Sequence, residues 1–472
     1  MLLSDKISIT TNTRQAISTE MAWQYGIIPL ESEKDCLSIY LDQTRNKDSI
    51  LSELRILLGK EIRIELQTPA IINELLMRFY PRVNGQMGTS AKVGQDDFVE
   101  TLIKEAKTLN SSDIHLEPYE KGSRVRIRID GQLVERYSIP KNDYPAIVNK
   151  IKILSRLDIS EKRLPQDGRI SFNEGSFKFD IRVSILPTLH GEKIVLRILN
   201  NSAANLVLSE LGFSPKDYHL YEEAIKKPNG IILISGPTGS GKTTTLYATL
   251  KTLNKTTKNV LTIEDPIEYT LEGINQVQLK EDIGLGFAST LRTFLRQDPD
   301  IIMVGEIRDK ETAQMAIRAA LTGHLVLSTI HTNSAWGIVS RLVDMDIPAY
   351  MVANTLNMAV AQRLVRLLCP VCKSKHSFNP ELLPASFKPK IIPEFHYIPV
   401  GCNQCFFTGY SGRQAIYEVL YIDETLRDII KHSETTVNDY IKENKIRLLA
   451  NQAWDLISEG NTSIEEGYSL LF

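Results

Sequence analysis

A glycine-rich run near the middle of the chain has the residue types and spacing of a phosphate-binding loop. The residues assigned to nucleotide binding are Gly236, Pro237, Thr238, Gly239, Ser240, Gly241, Lys242, Thr243 and Thr244. An apolar strand, GIILIS, precedes the run and a helix-forming segment follows it, as G-x-x-x-x-G-K-[ST] requires. Glycines let backbone N–H groups face phosphate oxygens at a helix N-terminus. We expect Lys242 to reach the β- and γ-phosphates of ATP and Thr243 to bind Mg²⁺.

Hydrolysis also requires carboxylates, and two apolar strands downstream carry acidic residues at their ends. The run VLTIEDPIEY places Glu264 and Asp265 where a strand stops, and RQDPDIIMVGEIRD places Asp300 before a strand and Glu306 just after it. Because ligands gather at the carboxyl ends of parallel strands, Glu264 and Glu306 are candidate catalytic residues. Asp265 and Asp300 are assigned to the nucleotide site. Glu306 is the better candidate to polarise the attacking water.

Two histidines flank the next apolar strand, in the run ALTGHLVLSTIHTNSA. His331 follows the strand, where an imidazole can respond to the added charge of a γ-phosphate. His324 precedes the strand and is a second candidate catalytic residue. The pattern therefore indicates a sensor beside the phosphates.

Four of the five cysteines form two C-x-x-C pairs, Cys369/Cys372 and Cys402/Cys405, separated by 29 residues. Two such pairs can close a tetrahedral Cys₄ site, which is the geometry of structural Zn²⁺. All four ligands then come from protein, and no coordination position is left for catalysis. The alternatives are a redox pair or four unrelated thiols, which the symmetric spacing disfavours.

Hydrophobic patterning divides the chain into three folded regions. Residues 206–472 alternate apolar strands with helices, which predicts a parallel sheet covered on both faces, with a tetracysteine insertion at about 366–412. Residues 96–205 alternate apolar and polar positions, which predicts an α+β domain. Residues 1–80 are typical of a small α/β unit, which we interpret as a docking domain. Residues 81–95 have the composition of a flexible linker.

Composition narrows the class of protein. The chain has 472 residues, 42% of them hydrophobic, and a formal net charge of −2, so no global basic field draws it to nucleic acid or anionic lipid. Neither a signal peptide nor a run long enough to span a membrane is apparent in the sequence. We therefore expect a cytoplasmic protein whose contact with a membrane is indirect, through partners.

Four runs, in this order, resemble the Walker A, aspartate box, Walker B and histidine box of the secretion ATPase superfamily. They are GPTGSGKTTTLY, IEDPIEY, RQDPDIIMVGEIRD and TGHLVLSTIHTN. Upstream, SSDIHLEP, RVRIRIDG and RLPQDGRI resemble the domain that precedes the family's ATPase core. The resemblance implies an α/β fold with a RecA-like P-loop core, preceded by a PAS-like α+β domain and a small N-terminal α/β domain.

The same resemblance implies a homohexamer in which arginines approach the phosphates. Matching motif positions are Arg182 and Arg197 in the upstream strands, and Arg292 and Arg296 before the Walker B run. Added positive charge stabilises the transition state of phosphoryl transfer. Which of these arginines act within one subunit and which act across the interface stays open at this point.

The tetracysteine insertion resembles that of the type II secretion and type IV pilus assembly ATPases, a branch distinct from the retraction ATPases. This branch implies two partners, an inner-membrane platform protein and the cytoplasmic domain of a membrane assembly protein. A DNA translocase or helicase is the chief alternative, against which stand the near-neutral charge and the lack of an aromatic and basic stripe. A nucleotide-binding scaffold without turnover is a second alternative, but the carboxylates that hydrolysis needs are present.

Overall fold

The structure is a computed structural model. It describes residues 13, 16–17, 19–32, 36–45, 47–80, 97–174, 177–199, 207–389, 391–432 and 437–472. The predicted linker at 81–95 and the boundary at 205/206 lie outside the described residues.

The N-terminal region is a three-stranded sheet packed against helices. Its elements are α1 (Thr19–Tyr25), β1 (Ile27–Ser32), β2 (Cys36–Asp42), α2 (Lys47–Leu58), β3 (Glu61–Gln67) and α3 (Pro69–Phe79). The sheet order is β1-β2-β3, with β1 antiparallel and β3 parallel to the central strand. Alternate residues of β2, Leu37, Ile39 and Leu41, are buried because a strand presents every second side chain to the same face.

The middle region is an antiparallel six-stranded sheet with two helices. Its elements are α4 (Phe98–Thr108), β4 (Asp113–Pro118), β5 (Ser123–Ile129), β6 (Gln132–Ile139), α5 (Tyr144–Leu154), β7 (Gln166–Glu174), β8 (Phe177–Thr188) and β9 (Gly191–Ile198). The strand order is β6-β5-β4-β9-β8-β7. In β5, Val125 and Ile127 enter the core, while the alternating residues Arg124, Arg126 and Arg128 lie on the opposite, charged face. The predicted α+β domain is therefore present.

The C-terminal region is built on a seven-stranded sheet, β12-β11-β13-β14-β10-β15-β18, in which only the β15–β18 pairing is antiparallel. Its helices are α6 (Pro215–Lys226), α7 (Lys242–Leu253), α8 (Phe287–Phe294), α9 (Lys310–Leu321), α10 (Trp336–Asp344), α11 (Ala349–Thr355), α12 (Glu424–Lys431), α13 (Asn438–Glu443), α14 (Leu449–Ser458) and α15 (Ile464–Gly467). Its strands are β10 (Gly230–Ser235), β11 (Val260–Glu264), β12 (Asn275–Gln278), β13 (Ile301–Val304), β14 (Leu325–Ile330), β15 (Leu356–Leu368), β16 (Ser374–Ser377), β17 (Phe395–Ile398) and β18 (Tyr410–Tyr421).

The central strand β10 shows why these strands are continuously apolar. All six of its residues are buried. Ile231 and Leu233 belong to the hydrophobic cluster on one face of the sheet, and Ile232 and Ile234 to the cluster on the other. A strand covered on both faces has no polar side, which confirms the predicted parallel sheet between two helical layers.

Strand order fixes where a ligand site can form. Strand β10 lies between β14 and β15, and β11 and β13 follow on the β14 side, so the chain crosses over after β10. Ligands of open α/β sheets bind outside the carboxyl ends of strands at such a switch. The cysteine pairs lie elsewhere, between the long antiparallel strands β15 and β18. In the part of the chain that the structure describes, no helix has both the length and the apolar character that a bilayer crossing demands.

Candidate nucleotide site and cysteine cluster

The glycine-rich run forms a tight loop between β10 and α7. Gly236, Gly239 and Gly241 have positive φ values of 151°, 81° and 87°. A Cβ on Gly236 would lie 2.5 Å from the carbonyl oxygen of Gln362, so only glycine fits there. Lys242 begins α7 and its Nζ donates to the carbonyl oxygens of Gly236 and Pro237 at 2.8 and 3.0 Å. The loop thus has the strand–turn–helix form of a phosphate-binding loop.

The environment of Lys242 makes it responsive to a ligand. Burial lowers the pKa of its ammonium group, and the charge of Arg363 acts in the same direction, while Glu306 opposes both. The ammonium group is therefore undercompensated. Phosphate oxygens supply the missing negative charge.

Glu264 is the last residue of β11 and is held rigidly. Thr262 Oγ1 donates to its Oε1 at 2.6 Å, Gln276 Nε2 donates to the same oxygen at 3.0 Å, and the Tyr247 hydroxyl donates to Oε2. The carboxylate is buried at the floor of the cavity. Because its oxygens already accept three hydrogen bonds, Glu264 is fixed in place before any ligand binds.

Glu306 follows β13, beside the phosphate-binding loop. Arg308 donates to its Oε1, and His331 Nε2 lies 3.4 Å from its Oε2. Burial acts to raise the pKa of Glu306, but the hydrogen bond and charge of Arg308 and the proximity of His331 outweigh it, and the net pKa is lowered. Arg308 also donates to Asp265 Oδ2 at 3.2 Å. The two predicted acidic strand ends are thus joined through one arginine.

The upstream domain contributes Arg197 to the same cavity. Arg197, on β9, lines the cavity, and its Nε donates to Asp113 Oδ1 at 3.0 Å. Arg182, on β8, donates to the carbonyl oxygen of Ile267 and lies 4.0 Å from Glu268, which also lines the cavity. Arg182 therefore contacts the segment that follows Glu264, whereas Arg197 lies on the cavity wall.

The cavity that these groups share has a volume of about 550 Å³, within the range of small-molecule sites. The cavity brings together five of the candidate catalytic residues assigned from the sequence: Lys242, Glu264, Glu306, His331 and Arg197. The further assigned residues on its wall are Thr238, Gly239, Ser240, Gly241, Thr243, Thr244 and Asp265.

Seven other assigned residues do not line this cavity: Gly236, Pro237, Arg182, Arg292, Arg296, Asp300 and His324. Asp300 lies at the amino end of β13, where it accepts hydrogen bonds from Lys258 Nζ at 2.7 Å and from the backbone N–H of Asn259 at 2.8 Å. His324 lies at the amino end of β14, with its Nδ1 2.8 Å from the carbonyl oxygen of Ala319. Both precede their strands and so lie at the opposite edge of the sheet.

The core arginines face a second surface. Arg292 forms an ion pair with Glu311, and Arg296 Nη1 donates to the carbonyl oxygen of Arg292 at 3.0 Å. Arg292 on α8, and Arg296 just beyond the end of that helix, are not among the residues that line the cavity.

Sequence reasoning missed several residues at the site. Arg413, at the start of β18, lines the cavity, and so do Tyr269 and Phe287. Tyr247 and Gln276 bind Glu264 from α7 and β12. Arg413 lies in the run TGYSGRQAIYEVL, where neither periodicity nor spacing indicated a role, because its position depends on the long β15–β18 pairing.

The four paired cysteines converge, and their sulfur atoms all lie within 4.8 Å of one another. The Sγ separations are 3.8 Å for Cys369–Cys402 and 3.7 Å for both Cys372–Cys405 and Cys402–Cys405. A tetrahedron with metal–sulfur bonds of about 2.3 Å has edges of about 3.8 Å, so these distances fit a metal and not a disulfide. Backbone N–H groups also point at the sulfurs, as at metal-bound thiolates: Gly401 donates to Cys372 at 3.3 Å.

The fold and the cavity together define the class of protein. A P-loop between a buried parallel strand and a helix, with carboxylates at neighbouring strand ends, is the core of a P-loop ATPase. The family model described as type II/IV secretion system protein matches residues 92–468, and the chain belongs to this family.

Curated relatives agree with this assignment. The chain is 41% identical to the type IV pilus assembly ATPase PilB of Myxococcus xanthus, over 95% of this chain and 85% of that protein. It is 48% identical to the type II secretion system protein E of Pseudomonas aeruginosa, over 78% of this chain and 74% of that protein. These matches confirm the predicted branch of secretion and pilus-assembly ATPases, and they do not favour the DNA-translocase alternative.

Solved structures support the fold. The ATPase DotB of Legionella pneumophila matches with a TM-score of 0.60 and 24% identity, covering 80% of this chain and 95% of that one. The pilus retraction motor PilT with bound ADP matches with a TM-score of 0.53 and 26% identity, covering 78% of this chain and 95% of that one. The predicted RecA-like core preceded by an α+β domain is confirmed.

Proposed function

We propose that the chain is the subunit of a homohexameric ATPase that hydrolyses MgATP to drive assembly of a type IV pilus or a type II secretion pseudopilus at the inner membrane. The observation that carries this proposal is the shared cavity, where Arg197 of the upstream domain lies with Lys242, Glu264, Glu306 and His331 of the core. A ligand can drive domain closure only by binding one arrangement better than another. An arginine on a separate domain provides that differential contact.

Each group in the cavity has a chemical role in this proposal. Lys242 binds the β- and γ-phosphates, and the Thr243 hydroxyl would hold Mg²⁺, which when bound would supply positive charge against the phosphates. Glu306 orients and polarises the attacking water, and His331 reports on the γ-phosphate through Glu306, 3.4 Å away. Arg197 stabilises negative charge in the transition state.

The remaining arginines act at the edges of the site. Arg182 holds the segment after Glu264, through the carbonyl oxygen of Ile267. Arg292 and Arg296 do not line their own cavity, which supports a role for them at the nucleotide of a neighbouring subunit. Asp300 and His324, at the opposite edge of the sheet, hold strand ends in place.

The cysteine cluster fits Zn²⁺, with Cys369, Cys372, Cys402 and Cys405 as ligands. When bound, zinc supplies a structural crosslink and no open position for chemistry. The four side chains then fix the base of the insertion between β15 and β18.

Docking to the membrane is assigned to the N-terminal region. Residues 1–80 bind the cytoplasmic domain of a membrane assembly protein, and the ring acts on an inner-membrane platform protein from the cytoplasmic face. Membrane contact is therefore indirect. Membrane recruitment that persists after deletion of residues 1–80 would contradict this assignment.

Phosphate release by the purified full chain with MgATP tests the enzymatic proposal. Lys242→Ala removes the phosphate-binding ammonium group, and we expect a loss of at least about a hundredfold in rate. Lys251→Ala is the matched control, since Lys251 is exposed in the last turn of the same helix α7 and should leave the rate unchanged. Activity that survives Lys242→Ala would refute hydrolysis at this site.

A further inference from the structure

Strand β15 pairs with β10, the strand that leads into the phosphate-binding loop. Arg363 of β15 contacts both this loop and the segment after β14 that carries His331. Its Nη2 donates to the carbonyl oxygen of Asn333 at 3.0 Å. A Cβ on Gly236 would approach its Nη1 to 3.2 Å, so the guanidinium group packs directly beneath the loop. Arg363 is therefore a bridge between two loops of the site, although the chemistry described above gives it no role.

The same segment is held from below by a buried carboxylate. Glu418, on β18, is only 4% exposed, and its Oε1 accepts the backbone N–H of Ala335 at 2.8 Å. The backbone N–H of Leu449 also donates to it. Ala335 immediately precedes α10, and Leu449 is the first residue of α14. One carboxylate thus joins the N-termini of two helices, where negative charge is favoured.

Glu418 and Arg363 are electrostatic partners. Burial raises the pKa of the Glu418 carboxyl, while the two backbone N–H groups and the charge of Arg363 act in the opposite direction. Burial likewise lowers the pKa of Arg363, against the pull of Glu418. The net pKa of Glu418 is raised, with the two backbone N–H groups opposing burial more than Arg363 does, whereas Glu418 is the charge that opposes burial at Arg363.

The segment from His331 to Ala335 makes few other contacts that fix its position. The His331 side chain is 54% exposed and approaches Glu306 alone among the described charged groups. Thr332 Oγ1 donates to the carbonyl oxygen of Ser334, a bond within the segment itself. The anchors to the strands beneath are Asn333, through Arg363, and Ala335, through Glu418.

We propose that Glu418 and Arg363 are positioning residues for hydrolysis. Acting through Ala335 and Asn333, the pair holds His331 at its distance from Glu306 and from the phosphate-binding loop. Neither residue is among those that line the cavity. The inference rests on the proposed function, because it assumes that His331 and Glu306 act in ATP hydrolysis.

The test is steady-state kinetics of the full chain with MgATP, beside thermal unfolding. Glu418→Gln keeps the shape and removes the charge, and Arg363→Lys keeps the charge but replaces the broad planar fork of the guanidinium with a compact ammonium group. We expect each to lower kcat by about tenfold, since small misplacements of catalytic groups are costly, with KM for ATP within about twofold. The double variant should be no slower than the slower single one, because both act through one unit.

The matched control is Asp423→Asn, which also neutralises a carboxylate at a helix N-terminus. Asp423 accepts the backbone N–H of Leu426 at 2.8 Å at the start of α12, away from the cavity. We expect it to lower the unfolding temperature as Glu418→Gln does while leaving kcat unchanged. Equal kcat values for these two variants overturn the inference, as do multiplicative kcat losses in the double variant. Wild-type phosphate release that is insensitive to Lys242→Ala is a separate result, and overturns the proposed function itself.

Discussion

The nucleotide cavity and the cysteine cluster belong to the same C-terminal region but are assembled in opposite ways. The cluster draws its four ligands from two short segments, and its sulfurs lie within 4.8 Å of one another with backbone N–H groups directed at them. The cavity collects its groups from the ends of β10, β11, β13 and β14 and from β9 of the upstream domain. One site is closed and local, and the other is open and shared between domains.

This difference indicates that the cavity, and not the cysteine cluster, can couple ligand binding to domain movement. A closed set of four ligands has one favourable arrangement, so binding a metal there stabilises the fold and changes little else. In the cavity, burial lowers the pKa of Lys242, and Arg197 comes from a separate domain. An anionic ligand would therefore add negative charge beside both cations. A site completed by its ligand can couple binding to domain movement.

Removing the carboxylate of Glu306 should have the largest effect on the open site. Glu306→Gln keeps the shape but loses the charge that we propose polarises the attacking water, so we expect kcat to fall at least about a hundredfold. The KM for ATP should stay within about threefold, because Lys242 and the loop are untouched. Phosphate-release kinetics and binding of a fluorescent ATP analogue measure the two effects.

Asp300→Asn supplies the comparison for Glu306→Gln. Asp300 lies at the other end of the same strand and holds Lys258. We expect its kcat to remain within about twofold of wild type, because surface ion pairs contribute little. A loss as large as that of Glu306→Gln would place Asp300 in the nucleotide site after all.

Disrupting the closed site should have an intermediate effect, on stability and not on chemistry. Cys402→Ser removes one of four ligands, so we expect the zinc-to-protein ratio to fall from near one toward zero and the unfolding temperature to fall by about 5 °C or more. At 25 °C, kcat should change less than about threefold. Elemental analysis, thermal unfolding and phosphate release check these points.

Cys36→Ser is the control, since Cys36 lies in the N-terminal sheet, outside the cluster. It should change neither zinc content nor kcat. Wild-type protein without zinc would contradict the metal assignment. A kcat loss in Cys402→Ser as large as that of Glu306→Gln would show that the two sites are not independent.

The features that could be predicted from the sequence are those formed by residues close together along the chain. The loop from Gly236 to Lys242, the acidic ends of β11 and β13 and the cysteine pairs all have local spacing or a buried apolar strand beside them. The parallel sheet follows from strands such as β10, which is apolar throughout because both of its faces are covered. For such features, composition and order carry the information.

What the sequence could not supply depends on distant pairings. Arg413 and Glu418 reach the site because β18 pairs with β15 across an insertion, and Gln276 reaches Glu264 from a short edge strand. Asp300 shows a different limit, because the sequence already places it before β13 and Glu306 after it. Only the carboxyl ends of parallel strands meet at the ligand-binding edge, so Asp300 lies at the opposite edge of the sheet.

Two carboxylates, Glu306 and Glu117, differ in the same way as the open and closed sites do. Of the changes considered, substitution of the enclosed carboxylate should have the smallest effect on activity. Glu306 lines a cavity, whereas Glu117 of β4 is enclosed, accepting hydrogen bonds from Arg124 at 2.9 Å and Arg126 at 2.7 Å. Burial acts to raise the pKa of Glu117, but the two arginines outweigh it and lower the pKa from 4.5 to about 2. Between these values the unfolded chain binds more protons than the folded one, so stability from Glu117 is complete above pH 4.5 and is lost as pH falls toward 2.

The difference in free energy of unfolding between wild type and Glu117→Gln should therefore become smaller as the pH falls. We expect the variant to be less stable than wild type by roughly 2 kcal/mol at pH 7, with the difference shrinking below pH 4.5, and kcat at pH 7 nearly unchanged. Urea unfolding at pH 7, 5, 4 and 3 measures the difference. Glu135→Gln is the control, because Glu135 is exposed and lies 3.7 Å from the same Arg124. A stability difference for Glu117→Gln that stays constant with pH would mean that its carboxylate is no more enclosed than that of Glu135.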